Sequence, residues 1–206
     1  MTIDEDAALL AERGALLATL EALEPGEWDR PSLCAGWRVR EVAAHASSLI
    51  LISTPALIWG LIRNGGDFNR FAASDARRRG ARPIDEILAD VRTYAGTSRI
   101  APTAQVVDMA LDAFVHHHDI AHPLGRTVPT DPARLRWLAD GMVATGRPIL
   151  AGRRVEGLRL VATDIDWHYG SGPEITGPAV ALMLAGCGRR AFDDQLSGPG
   201  LVELQA

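Results

Sequence analysis

Residues 112–119 of this 206-residue chain read DAFVHHHD. Because an α-helix completes one turn every ~3.6 residues, Asp112 and His116 lie one turn apart on the same helix face. Asp119 stays near that face, whereas the next two histidines point about 100° and about 200° away from it. The three consecutive histidines therefore cannot all bind the same metal ion. Asp112 and His116, however, can fill two coordination positions of a divalent metal.

A third ligand has to come from another element of the chain, and His45 is the natural candidate. It lies in the middle of an otherwise apolar helical pattern that begins at Val39, where an unpaired imidazole would be costly. Asp119 can accept a hydrogen bond from a ligand imidazole and thereby fix its tautomer. The residues alone leave two alternatives open, which are a hydrogen-bonded core histidine at position 45 and a histidine run that is a surface accident.

Apolar residues at helical spacing on both sides of the octapeptide predict a mainly α-helical chain. Pro55 should break the second helical pattern, and Thr103 is a candidate N-cap for the helix that carries the octapeptide. Residues 69–79 are polar and are a further helix candidate. The other helical patterns cover residues 3–24, 39–62, 84–94 and 106–115 and a segment that starts at 130–132.

Near residue 150 the pattern changes from helical to alternating, which is typical of β-strands. The strand-like segments are residues 158–163, 165–169, 174–176 and 201–204. An apolar helix is predicted over 179–187. We therefore predict a helical bundle over residues 1–150 and a small α+β unit over residues 151–206, which is too short to fold alone.

Composition and charge narrow the class of protein. The hydrophobic content of 47% is enough for a real core, and no stretch of 18 residues is uniformly apolar. The acidic N-terminus lacks the basic start of a secretory signal, so we expect a cytoplasmic protein that does not bind a membrane. The net charge of −5 argues against nucleic acid as a partner.

Two smaller features are given structural interpretations. Cys34 and Cys187 form no C-x-x-C pair, and each is expected to be a small buried residue rather than a reactive thiol. The basic run at 77–79, with Arg82 after it, is interpreted as a solvated helix end.

Three blocks of the sequence resemble one known family. Residues 33–45, LCAGWRVREVAAH, resemble the N-terminal signature of the mycothiol-dependent maleylpyruvate isomerase family, within the DinB-like superfamily. Residues 112–126 resemble its second motif, in which an acidic residue and a histidine stand four apart and an Asp-Ile pair follows. Residues 177–198 resemble its small C-terminal domain. The resemblance therefore reaches both ends of the chain.

The resemblance implies a DinB-like four-helix bundle whose divalent metal is held by two histidines and one acidic residue. Carried over position by position, the ligands are His45, Asp112 and His116, and mixed N/O ligation suits Zn²⁺ best. The family usually has Glu where this chain has Asp112, so the metal is expected to lie closer to this helix or to bind more weakly. Arg189 is the best match to a family arginine that helps to hold the substrate carboxylate; the alternative is an arginine favoured by the dipole at a helix C-terminus.

Three protein ligands leave a metal position open, where a low-molecular-weight thiol such as mycothiol would bind as thiolate. We therefore expect a metal-dependent enzyme that uses this thiol for isomerisation or thiol transfer on a small electrophilic substrate. Two alternatives are a hydrolase with metal-activated water and a non-enzymatic metal-binding or sensor module. The expected partners are the small-molecule substrate and the thiol, with a homodimer as the candidate assembly.

Overall fold

The computed structural model describes residues 3–101, 104–144 and 154–205, and these residues are mainly helical. The helices are α1 (Glu5–Glu21), α2 (Val39–Leu51), α3 (Thr54–Arg63), α4 (Phe68–Gly80), α5 (Ile84–Ala95), α6 (Val106–Ala121), α7 (Pro132–Ala144), α8 (Ala179–Gly186) and α9 (Leu201–Gln205). The strands are β1 (Arg159–Ala162), β2 (His168–Tyr169) and β3 (Glu174–Gly177). The prediction of a mainly α chain with a small α+β part near the C-terminus is confirmed. None of these helices combines the length and the apolar character that crossing a membrane requires.

The chain forms two compact units. The N-terminal unit comprises Leu9–Gln105 and Asp112–Val128, and the C-terminal unit comprises Met1–Ala8, Val106–Leu111 and Pro129–Ala206. The domain boundary predicted near residue 150 falls outside the described residues, as does the predicted cap at position 103, and both stay predictions.

In the N-terminal unit, α2 packs against α4 and α5. Gly80, the last residue of α4, lets α4 and α2 approach closely, because a Cβ atom there would lie 2.9 Å from Cγ and 3.0 Å from Cα of Glu41. Apolar side chains of the same unit form its core, and burying each of them contributes roughly 1.5–3 kcal/mol. They include Leu9, Leu16, Leu20, Trp28, Val42, Ile87, Val91, Phe114 and Ile120.

A charged clamp fixes the start of α2. The Glu41 carboxylate accepts a hydrogen bond from the backbone N–H of Arg38 at 2.6 Å and another from the Arg38 guanidinium at 3.0 Å. An acidic residue in the first turn is favoured by the positive end of the helix dipole. Because the start of α2 is fixed, the direction in which His45 projects two turns later is fixed as well.

In the C-terminal unit, the three strands form a mixed sheet in the order β2-β1-β3. β1 pairs antiparallel with β2, with Leu160 opposite Tyr169, and parallel with β3, with Leu160 opposite Ile175. The buried side chains of Leu160 and Ile175 point to one face, since directly opposed residues of paired strands share a face. α8 packs against this sheet and against α7.

Two strand predictions are wrong. Residues 201–204 form the short helix α9, because Ser197 already pairs with Thr176 at the edge of β3 and the chain then turns at Gly200. The segment 165–167 is a bend rather than a strand, since the Trp167 N–H bonds to the Ile165 carbonyl at 2.9 Å.

Gly80→Ala tests the close contact between α2 and α4. The added methyl group has to displace backbone and side-chain atoms of Glu41, so we expect the free energy of unfolding to fall by about 1–3 kcal/mol. The matched control is Gly14→Ala in α1, where nothing lies within 4 Å of the new Cβ atom. This control should stabilise by about 0.5–1 kcal/mol, because alanine is the better helix former. Urea unfolding curves measure both, and equal effects of the two changes would contradict the described packing.

Candidate metal centre

His116 lies at the centre of the candidate site, and both of its ring nitrogens face carboxylates from the same helix. Nε2 lies 3.5 Å from Oδ1 of Asp112, one turn earlier on α6. Nδ1 lies 2.9 Å from Oδ2 of Asp119, at the hydrogen-bond distance. Asp119 is fully buried, and His116 is 8% exposed. The i, i+4 and i, i+3 spacings on one helix therefore place a carboxylate at each side of a single imidazole.

The loop before α2 brings a thiol to this site. Sγ of Cys34 donates to Oδ2 of Asp119 at 3.1 Å and lies 3.9 Å from Nδ1 of His116. The loop is held against α6 by a backbone hydrogen bond of 3.0 Å from Leu33 N–H to the Asp119 carbonyl. Cys34, His116 and Asp119 each offer a ligand atom, and these atoms lie within 4.8 Å of one another. The three residues are therefore a candidate metal-binding set.

α2 brings His45 against the His116 ring. The two imidazoles meet edge to face, with ring centroids 5.1 Å apart. Trp37 packs on His45 at a centroid distance of 5.0 Å and is itself half-buried. The structure thus places two of the predicted ligands, His45 and Asp112, around the third, His116. Their role in binding a metal stays a prediction, as does the role of Asp119.

The surroundings of the two imidazoles act on their protonation in opposite directions. Burial disfavours the charged form of His116, but the negative charge of Asp112 and the hydrogen bond to Asp119 outweigh it and raise its pKa above the usual range. Burial, together with the positive charge of His116, lowers the pKa of His45 to about 4. At neutral pH, His45 is therefore a neutral imidazole, which is the form that binds metals.

The two histidines that follow His116 point away from it. His117 is fully buried, and its Nε2 lies 2.7 Å from the Thr19 hydroxyl of α1. His118 packs against the ring of Phe114, with centroids 4.6 Å apart. The run of three histidines thus supplies one side chain to the candidate centre and two to the interior of the N-terminal unit.

Arg189 lies in the C-terminal unit, just after α8. Its guanidinium donates to the Cys187 carbonyl at 2.7 Å, which is the kind of contact that a cation makes at a helix C-terminus. The predicted role of Arg189 in holding a substrate carboxylate stays a prediction.

Cys34 is the site residue that the sequence analysis missed. We expected a small buried cysteine, but Cys34 is half-buried and its thiol bonds to Asp119. Its place at the start of the 33–45 block, within the motif that also carries His45, is the signal that could have indicated it.

Known proteins show what the fold of this chain is similar to. Two solved structures share the fold: the mycothiol-dependent maleylpyruvate isomerase (TM-score 0.61) and a histidine-to-alanine mutant of the same enzyme (TM-score 0.60). Each match has 14% sequence identity and covers 95% of this chain and 92% of the other. Among curated proteins, none matches this sequence.

A family model then identifies the N-terminal part of the chain. Residues 9–108 match the mycothiol maleylpyruvate isomerase N-terminal domain. This segment belongs to that family, which confirms the resemblance seen in the sequence motifs. The matched segment contains Cys34 and His45, whereas Asp112, His116 and Asp119 follow it on α6.

His117 gives the stability of the N-terminal unit a testable pH dependence. Burial lowers its pKa from 6.5 to about 4, so the unfolded chain binds more protons than the folded one between these pH values. Stability should therefore fall as pH drops from 6.5 toward 4, with about 3 kcal/mol arising from this residue. His117→Gln removes the titrating group but keeps a polar partner for Thr19.

We expect the His117→Gln variant to lose less unfolding free energy than the wild type between about pH 7 and about pH 4.5. The opposite contribution of His116 cancels in this comparison, because both proteins contain it. The matched control is His168→Gln, which changes an exposed histidine of the C-terminal unit. Urea unfolding at both pH values measures the difference, and an unchanged loss in the His117 variant would show that its burial is misassigned.

Proposed function

We propose that this chain is a metal-dependent enzyme that uses a low-molecular-weight thiol, of the mycothiol type, for isomerisation of a small electrophilic substrate or for transfer of the thiol to it. The observation that carries the proposal is the two-sided environment of His116. Asp119 occupies Nδ1 through a hydrogen bond, and Nε2 faces Asp112. His45 lies against the same ring. This arrangement supports a metal on the Nε2 side, held by His45, Asp112 and His116.

The Nδ1 contact is the one that a metal-binding histidine usually makes. Such a histidine donates its second N–H to a carboxylate, which fixes the tautomer and makes the other nitrogen a better ligand. Asp119 fulfils this requirement at 2.9 Å and is itself held by the Cys34 thiol and fully buried. A neutral His116 that donates from Nδ1 presents the lone pair of Nε2 toward Asp112.

The charges around His116 also suit a divalent cation. Two carboxylates, from Asp112 and Asp119, flank the imidazole, and they favour its protonated form when no metal is present. A cation at Nε2 would replace that proton and balance the Asp112 charge. Metal affinity should therefore weaken as pH falls, because proton and metal compete for the same nitrogen.

The set formed by Cys34, His116 and Asp119 is the rival metal site. A metal there would need a thiolate at Cys34 and the Nδ1 nitrogen of His116 as ligands. It would replace two observed hydrogen bonds, of 2.9 Å and 3.1 Å, that satisfy these buried groups. The rival set also leaves Nε2 without a role. The set formed by His45, Asp112 and His116 is favoured because it retains both hydrogen bonds.

The activity rests on what each residue contributes. When bound, a divalent metal with an open position would lower the pKa of a coordinated thiol and keep it as the thiolate nucleophile. His45, with Trp37 packed against it, and Asp112 would be the other two protein ligands of that metal. Asp119 holds the His116 ring and its tautomer through Nδ1. The Cys34 thiol donates a hydrogen bond to Asp119, so it stabilises this carboxylate rather than acting as the nucleophile.

Metal binding by variants distinguishes the two sets. In untagged protein, we expect His45→Ala and Asp112→Ala to weaken zinc binding by more than about 100-fold and Asp119→Asn by about 10- to 100-fold. Cys34→Ser should retain zinc, since its hydroxyl can donate to Asp119 as the thiol does. Exposed His168→Ala is the control. Competition with a chelator measures each affinity, and zinc loss in Cys34→Ser with retention in His45→Ala would place the metal on the Nδ1 side.

Turnover assays distinguish the reaction classes. We expect the zinc-loaded protein to act only when mycothiol is added. It should then isomerise cis double bonds of small electrophilic acids or transfer the thiol to an electrophile. His45→Ala should lower this rate by at least about 100-fold, because the metal is lost. Thiol-independent hydrolysis of esters or amides would instead identify a hydrolase. Metal-dependent changes in oligomeric state without any turnover would identify a sensor.

A further inference from the structure

A cleft of the N-terminal unit lies where the end of α2 meets α3 and α4. This α3–α4 cleft has a volume of about 630 Å³, within the usual range for small-molecule sites. Ile52, Trp59 and Phe71 form its apolar wall, and Arg63 and Arg78 line it as well. The sequence analysis assigned no function to any of these residues.

The packing of α3 on α4 shapes the apolar wall. A methyl group at Gly60 would overlap the ring of Phe71, so the absence of a side chain lets α3 lie directly on this ring. Phe71 is buried, whereas Trp59 is 60% exposed although it lines the cleft. A large aromatic side chain left in water beside a cavity marks a surface on which a ligand can pack.

The lining of the cleft includes an ion-pair cluster around the buried carboxylate of Asp75. Asp75 is 6% exposed and pairs with Arg79 at 2.7 Å and with Arg78. The run at 77–79 was interpreted as a solvated helix end, but the Arg79 side chain is only 14% exposed. Asp75 therefore holds two guanidinium groups in place, which reduces the entropy that they lose when an anion binds.

Positive charge dominates the cleft. Its lining has three guanidinium groups, on Arg63, Arg78 and Arg79, against the single carboxylate of Asp75. Among the residues that the structure describes, Arg63 forms no ion pair, and it is exposed. The whole chain carries a net charge of −5, so this excess of positive charge is local. A cation beside an aromatic wall is complementary to an anion on an apolar body.

We propose that the α3–α4 cleft binds a small amphipathic anion, with its apolar body on Trp59 and Phe71 and its carboxylate or sulfonate on Arg63 and Arg78. The concave shape favours a small molecule over a membrane surface or a second copy of the chain, both of which need a flat or protruding face. This site uses none of the proposed metal ligands. The proposal therefore does not depend on the proposed enzyme activity, although the Asp75 carboxylate of the cleft also acts electrostatically on His45.

Two fluorescent probes of similar apolar size test the proposal. 8-Anilinonaphthalene-1-sulfonate carries an anion, and N-phenyl-1-naphthylamine is its neutral counterpart. We expect Arg63→Gln to weaken sulfonate-probe binding about tenfold, equivalent to about 1.4 kcal/mol, and to leave the neutral probe unchanged. Trp59→Ala should weaken the binding of both probes. The matched control is Arg70→Gln, whose 77% exposed side chain lies outside the cleft and should have no effect.

Each other outcome overturns the proposal. Equal effects of Arg63→Gln and Arg70→Gln would show that the probe responds only to the number of positive charges on the chain and not to their position. Equal loss of both probes in Arg63→Gln would show that the cleft does not recognise the anion. The chain could also bind anionic vesicles or associate with itself. If Trp59→Ala abolished either of these while probe binding persisted, the surface would be assigned to a membrane or to a second copy of the chain. Probe binding should survive EDTA treatment, which keeps this test separate from that of the metal centre.

Discussion

The hydrogen bond between Nδ1 of His116 and the buried Asp119 carboxylate is the constraint on which the candidate centre depends. At 2.9 Å it fixes both the orientation of the imidazole and the side on which its second nitrogen lies. Without it, the ring could rotate and would present no defined face to Asp112. The carboxylate that imposes the constraint is held by the Cys34 thiol. The proposed metal ligand and the groups that orient it thus form one connected arrangement.

Two features of the fold maintain this arrangement. The loop before α2 is tied to α6 by the backbone bond from Leu33 to Asp119, and α2 then starts at the clamp between Arg38 and Glu41. The loop and the clamp lie in residues 9–108, the segment that matches the family model, which also includes α3 and α4, whereas Asp119 follows this segment. α2 therefore serves two places in this unit, with His45 near its middle at the candidate centre and Ile52, just after its end, lining the α3–α4 cleft.

The sequence could predict what depends on local periodicity. Helical spacing placed Asp112, His116 and Asp119 on one face of α6, and the apolar pattern predicted the helix that carries His45. It could not predict that Cys34 bonds to Asp119, because this contact joins residues 85 positions apart through a loop. The same limit explains α9, since only the pairing of Ser197 with Thr176 shows that the edge of β3 is already occupied. The arginine run does end α4, with Arg77 and Arg78 exposed, but Arg79 turns inward to Asp75, which the charge pattern alone did not show.

X-ray absorption at the zinc edge, on zinc-loaded protein in thiol-free buffer, tests the central claim most directly. A metal on the Nε2 side of His116 predicts nitrogen and oxygen ligands at about 2.0–2.2 Å and no sulfur in the first coordination shell. A sulfur scatterer at about 2.3 Å would show that Cys34 binds the metal. The hydrogen bonds that hold Asp119 would then have to be replaced, and the account given for His116 would be wrong.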